Sequence, residues 1–281
     1  EDGIRDRSPS RGLGDVYKRQ IDVKLNDENQ TISGFETITY VNNSPDDLNY
    51  LWVQLDQNVR AKDSDSYKIS TGKMRNKLNF SSMKPGYIYG DKDAFDILND
   101  FDGGFNIEEV VTIDGRKLNY TINKTMMRID LEKPLRSKSK TSISIRWNYK
   151  VQDRLFLGGR SGYEFFETDS NYLYTICQWF PRMAMYNDVY GWQNKQFFGR
   201  GEFTLDFGDY DVRITVPADH IVASTGELQN MMEVLTKEQI ERYKKSKSAN
   251  SPLIIISQDE AIKNEKSRSK KVKHGDIKQK M

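Results

Sequence analysis

Apolar residues recur at every second position along much of this chain, which is the period of a β-strand. Residues 142–151 (SISIRWNYKV) give the clearest case, since apolar and polar side chains alternate throughout. The same pattern, rich in β-branched and aromatic residues, predicts a set of further strands. They lie at residues 21–25, 31–41, 51–55, 108–113, 118–122, 126–131, 172–178, 201–207, 212–217 and 221–225.

The segments between the strands add a turn, an insert and a helix. A polar run at residues 27–30 predicts a hairpin of the first two strands. Residues 61–104 are rich in Lys, Asp, Ser and Gly and indicate a long loop. Thr236 and Gln239 fit a capping box that starts a helix at residues 237–246. The apolar run at residues 253–256 (LIII) is interpreted as a buried strand.

Many strands and few helices predict an all-β fold. We expect an antiparallel β-sandwich or curved sheets, with one short helix near the C-terminal end. The 281 residues carry a formal net charge of +2, which favours neither nucleic acid nor anionic membranes as a partner. No apolar run approaches the roughly 20 residues that span a bilayer.

The two ends differ from the body of the chain. Residues 1–20 lack hydrophobic periodicity, and residues 15–20 (DVYKRQ) resemble a translated transposase adaptor. We interpret residues 1–20 as a sequencing-adaptor artefact or a disordered leader, residues 21–273 as one β domain, and residues 274–281 as an aberrant or truncated tail. The basic segment 263–280 favours a solvated tail over a nucleic-acid site, because it has no interleaved aromatic residues for base stacking.

The residues that could carry chemistry are few. The histidines, His220 and His274, are far apart and neither has a partner at i+4, so a local catalytic zinc site is not expected. Cys177 is the single cysteine; its neighbours indicate a strand interior and therefore a buried structural role rather than a nucleophile. The dense aromatic residues between 179 and 198 favour core or interface packing over sugar binding.

Several segments carry a resemblance to a known family. They are GRSGY at 159–163, QWFPRMAMY at 178–186, GRGEF at 199–203 and YDVRITVPADHIVASTGELQN at 210–230. Together they resemble the N-terminal domain of aminopeptidase-N-family zinc peptidases, in the form found in Bacteroidetes. The likeness is specific between residues 159 and 230 and diffuse over the rest of 21–273.

The resemblance implies a saddle-shaped, non-catalytic β domain that walls one side of a substrate cleft. Family members remove N-terminal residues from peptides, and their zinc ligands, general-base Glu and Gly-x-Met-Glu-Asn motif lie downstream of this domain. Those motifs are absent from the sequence, so the chain is expected to be inactive alone, without a cofactor of its own. Its implied partners are the catalytic domain of the same polypeptide, which would bind zinc, and a peptide substrate. Many relatives are exported, which suggests a periplasmic or secreted location.

One functional residue follows from the resemblance. The family's N-terminal domain sends a Gln or Glu into the active site, near the free amine of the substrate. Gln178 matches it best, followed by Arg182 and Asp188, although the first Gln of the family's segment is Ile176 here and the later spacings are each about one residue shorter. Gln178 could equally pair with backbone at a strand end. A stand-alone β-sandwich module that binds carbohydrate or protein is the alternative function.

Overall fold

β-Strands are the most abundant regular structure of the described chain, and they form two main sheets over one hydrophobic core. The computed structural model describes residues 14–69, 88–89, 92–93, 101–168, 170–199, 201, 205, 207–266 and 272–279. The longer strands are β1 (Gly14–Asn26), β2 (Thr31–Asn42), β3 (Leu48–Gln54), β6 (Asn106–Thr112), β7 (Tyr120–Asn123), β8 (Met126–Leu135), β9 (Lys140–Lys150), β10 (Gly162–Phe166), β11 (Asn171–Thr175), β15 (Asp209–Pro217) and β17 (Val272–Gln279). The all-β fold class predicted from the sequence is confirmed.

Short elements complete the described chain. The two-residue strands are β4 (Ile88–Tyr89), β5 (Lys92–Asp93), β12 (Arg182–Met183), β13 (Tyr186–Asn187), β14 (Gly191–Trp192) and β16 (Glu227–Leu228). A 3₁₀ turn covers Asp56–Arg60, and the helices are α1 (Asp65–Ile69), α2 (Arg154–Leu157), α3 (Met231–Val234), α4 (Lys237–Ser246) and α5 (Gln258–Lys266). The expected loop at 61–104 therefore begins with a short helix, and much of it lies outside the described residues.

The larger sheet has seven strands in the order β16-β17-β15-β1-β2-β9-β6. β1 and β2 form the predicted hairpin, with Asn26 opposite Thr31. β1 also pairs with β15 in parallel, because a long connection brings the chain back beside it in the same direction. The sheet is therefore mixed: β1 and β15 are its one parallel pair among the described strands, and its other pairs are antiparallel.

The second sheet, in the order β12-β3-β8-β7, packs its apolar face on the first. In β9 every second side chain points into the core. Ile143, Ile145 and Trp147 are at most 1% exposed. Gly34 on β2 faces Trp147, and a Cβ at that position would lie 2.3 Å from its ring. A glycine is required there because the indole occupies the space of a side chain.

Strands extend past the sequence-based domain boundaries at both ends. β1 begins at Gly14, so the boundary expected at residue 21 lies inside a strand. Arg19 is 1% exposed, and its Nη1 lies 3.4 Å from Glu36 Oε2. Its guanidinium also donates to the carbonyl of Pro181. β17 covers most of the expected tail, since its residues pair with β15.

Two further expectations about local structure are wrong. Residues 253–256 form no strand, and Ile254 is 73% exposed. Residues 221–225 form no strand either, and they continue as an exposed loop after β15. The helix at 237–246 is confirmed as α4: Thr236 accepts from the amide of Gln239, whose side chain accepts from the amide of Thr236. A second helix, α5, follows it.

Candidate functional site

Gln178 lies just beyond the end of β11, in a left-handed backbone conformation with φ of 51°. This region is unfavourable for residues other than glycine, because Cβ approaches the following carbonyl oxygen. Such a conformation persists only where surrounding contacts enforce it, and it is frequent at binding sites. The loop that carries Gln178 is therefore held in place by the rest of the fold.

The side chain of Gln57 makes the contacts that hold this loop. Its amide nitrogen donates to the carbonyl of Gln178 at 2.9 Å and to that of Cys177 at 3.2 Å. Arg60 fixes the orientation of Gln57, because Arg60 Nη1 donates to Gln57 Oε1 at 2.8 Å. Arg60 Nε in turn donates to Gln152 Oε1 at 2.7 Å. A continuous chain of hydrogen bonds thus connects the 3₁₀ turn to the Gln178 loop.

A buried ion pair anchors the other end of the same loop. Arg182 Nε donates to Asp56 Oδ2 at 2.7 Å, and the Asp56 side chain is 1% exposed. Burial raises the pKa of Asp56, and the charges of Arg182 and then Arg60 act in the opposite direction. Removing Arg182 would leave this carboxylate buried without its main partner, which makes the pair important for the loop.

A cavity of about 190 Å³ adjoins Gln178. Its lining residues are Arg160, Cys177, Gln178, Arg182, Phe197, Gly201 and Leu205. Cys177 is only half-buried and lies after β11, so the expected position in a strand interior is wrong. Asp188, the last residue matched to the family segment, is exposed after β13 and outside this lining.

The two histidines considered as zinc ligands lie outside the cavity beside Gln178. His220 lies between two carboxylates, with Nδ1 at 3.4 Å from Asp219 Oδ1 and Nε2 at 3.7 Å from Asp27 Oδ2. His274 lies in β17. Within the described ranges, no group of three or more His, Cys, Asp or Glu residues could hold a metal ion. The helices of that part of the chain include none long and apolar enough to cross a membrane.

The aromatic residues between 179 and 198 divide into two groups. Trp179, Phe180, Tyr186 and Trp192 pack against the core, as the sequence favours. Tyr190, by contrast, is 73% exposed in the turn between β13 and β14, next to Val189 at 68%. This turn presents an apolar surface.

The residues that position Gln178 were not identified from the sequence. Gln57, Arg60, Gln152 and Asp56 carry no motif. The sequence offers one indirect signal, a polar run at residues 56–58 that follows the apolar segment 51–55. The structure buries all three residues of that run. Buried polar side chains require partners, so such a run indicates a network even when the partners are unknown.

No protein-family model and no curated protein matches the chain. Among solved structures, it is similar to the M1 zinc metallopeptidase from Deinococcus radiodurans, at 12% identity over 96% of this chain and 40% of that chain, with a TM-score of 0.44. A mutant of that metallopeptidase bound to a Tyr-Ser-Ala substrate matches at 13% identity over 79% of this chain and 37% of that chain, with a TM-score of 0.40. A two-domain M1 zinc metallopeptidase mutant bound to L-arginine matches at 11% identity over 97% of this chain and 40% of that chain, with a TM-score of 0.44. The chain thus spans about 40% of the length of the solved structures it resembles.

Proposed function

We propose that this chain is the non-catalytic β domain of a zinc aminopeptidase, in which it walls the substrate cleft and binds the free amine of the peptide through Gln178. Zinc and the general base would belong to a catalytic domain of the same polypeptide. The chain by itself is then inactive as a peptidase. The resemblance of residues 159–230 to the family's N-terminal domain is the starting point of this proposal.

The observation that carries the proposal is the left-handed conformation of Gln178, held by the Gln57 amide. A left-handed φ also occurs at Gln30, Lys124, Lys138 and Ser170. The distinguishing feature of Gln178 is therefore the buried Gln57 side chain that fixes its carbonyl. A fixed backbone restricts the positions that the Gln178 side chain can reach, which is what recognition of a substrate group requires.

The chemistry of glutamine fits a substrate ammonium. Its carbonyl oxygen accepts hydrogen bonds while the side chain stays uncharged. A hydrogen bond to a charged group contributes about 1.5–3 kcal/mol. The exposed apolar turn at Val189 and Tyr190 supports a contact with a further domain, because large exposed apolar groups often mark interfaces.

The test begins with the DNA that encodes this chain, sequenced beyond codon 281. The proposal expects the reading frame to continue into Gly-x-Met-Glu-Asn and His-Glu-x-x-His. A stop codon directly after Met281 in intact DNA contradicts it. In that outcome the β domain is a stand-alone module, and carbohydrate and protein ligands become the candidates.

The full-length enzyme then tests Gln178 itself. Gln178→Ala should lower kcat/KM for amino-acid anilides by about 10- to 100-fold, because a hydrogen bond to the substrate ammonium is lost. Gln229→Ala is the matched control, since the Gln229 side chain is exposed and donates only to the nearby carbonyl of Glu227. An unchanged kcat/KM in the Gln178 variant contradicts the assigned role.

A further inference from the structure

A cleft of about 440 Å³ lies beside the seven-stranded sheet and is lined by residues of β11, the loop after β15 and helix α5. Val23 and Leu25 of β1 form part of its floor, together with Ile214 and Val216 of the neighbouring strand β15. The volume falls in the range of small-molecule sites, which are mostly apolar with a few polar groups at defined positions. The cleft is separate from the cavity beside Gln178, because the two share no lining residue.

The polar groups of this cleft are mainly acidic. Asp27 and Asp219 flank His220, and their side chains are 6% and 8% exposed. Glu265 of α5 adds a third carboxylate. Among the described residues that line the cleft, none is Lys or Arg. The three carboxylates outnumber the one imidazole, so the cleft attracts a cation and repels an anion.

Aromatic rings complete the environment that suits a cation. Tyr172 and Tyr174 of β11 line the cleft with ring centroids 6.0 Å apart. The Tyr174 ring also lies 6.0 Å from the imidazole of His220. The faces of aromatic rings attract ammonium groups, more strongly where water is excluded. An apolar floor, acidic groups and tyrosine rings therefore select an amphiphilic cation.

We propose that this cleft binds a small organic ammonium ion that carries an apolar or aromatic body. The body lies on the floor formed by β1 and β15, and the ammonium group is attracted by Asp219, Asp27 and the tyrosine rings. This site is independent of the proposed role of Gln178, so either proposal can fail without the other.

The binding test uses the full chain and two probes of nearly equal size. The probes are the 2-phenylethylammonium ion and the neutral 2-phenylethanol, titrated by calorimetry and by NMR. For ligands this small we expect a Kd of about 0.1–1 mM for the ammonium ion and binding at least about tenfold weaker for the alcohol. Equal or tighter binding of the alcohol, or no binding of either probe at about 10 mM, overturns the proposal.

A variant separates the charge effect from a change in fold. Asp27→Asn with Asp219→Asn removes two charges at nearly constant volume and should weaken ammonium binding at least about tenfold, while alcohol binding stays the same. Asp22→Asn is the matched control, because Asp22 is an exposed residue of β1 that pairs with Arg213 and lies outside the cleft. Unchanged ammonium affinity in the double variant, or equal losses for both probes, contradicts the assignment.

Discussion

The left-handed backbone of Gln178 allows us to predict which of two variants at this position has the higher free energy of unfolding. Gln178→Ala and Gln178→Gly both delete the side chain, but only glycine adopts a φ of 51° without steric cost. We therefore expect the glycine variant to be the more stable of the two. At an ordinary extended position the order is reversed, since alanine has less conformational entropy to lose on folding.

The size of the difference follows from two opposing terms. The left-handed conformation costs a residue with a Cβ about 1–2 kcal/mol. The greater freedom of glycine in the unfolded chain costs about 0.4–1 kcal/mol. At the midpoints of these ranges, the balance favours Gln178→Gly over Gln178→Ala by about 0.8 kcal/mol in the free energy of unfolding.

Urea unfolding, followed by fluorescence and circular dichroism, measures this difference. Thr175 supplies the matched control, because it is an exposed residue at the end of β11 and close to Gln178. There we expect Thr175→Ala to be more stable than Thr175→Gly by about 0.5–1 kcal/mol. If Gln178→Ala is as stable as Gln178→Gly or more so, the left-handed conformation is not present in solution, and the argument for a held loop fails.

Three further predictions concern buried polar groups. Gln57→Met should lower the free energy of unfolding by about 2–4 kcal/mol, because two carbonyls lose a donor and the Arg60 guanidinium loses one of its acceptors. Arg182→Met should cost about 3–5 kcal/mol, because it leaves the Asp56 carboxylate buried without its main counter-charge. Burial raises the pKa of Glu36 to about 7, although the charge of Arg19 acts in the opposite direction. The folded state then binds more protons than the unfolded state, so the free energy of unfolding should fall by about 1 kcal/mol per pH unit as pH rises from 5 to 7.

Urea unfolding of matched variants checks these three. Gln229→Met and Arg116→Met alter an exposed hydrogen bond and exposed ion pairs, and each should cost less than about 1 kcal/mol. Equally small losses in the free energy of unfolding for Gln57→Met and Arg182→Met would contradict the stabilising role of the buried hydrogen-bond network. Glu36→Gln should remove most of the pH dependence between pH 5 and 7, and a slope that this substitution leaves unchanged would assign it to another group.

The strands could be predicted because burial on one face follows directly from alternation. β2 and β9 show the predicted pattern, and their inward residues are buried against the second sheet. The failure at residues 253–256 has a physical reason as well. A run of apolar residues forms a strand only where the fold places it beside the edge of a sheet, and residues 253–256 lie between α4 and α5 without pairing with any described strand. Whether an apolar segment finds a partner strand depends on the whole fold. The period of its hydrophobic residues does not give that information.

For the site too, the sequence indicated a residue type but not which residues lie next to each other. The resemblance identified Gln178, and the sequence contains nothing that connects it with Gln57, which lies 121 residues earlier in the chain. The connection arises because the pairing of β3 with β12 brings the turn after β3 beside the loop before β12. The 3₁₀ turn there buries Asp56 and Gln57 where they meet Arg182 and the carbonyl of Gln178. A substitution that weakens the β3–β12 pairing should therefore release Gln178 without touching it, and amide hydrogen exchange in the loop would detect that release.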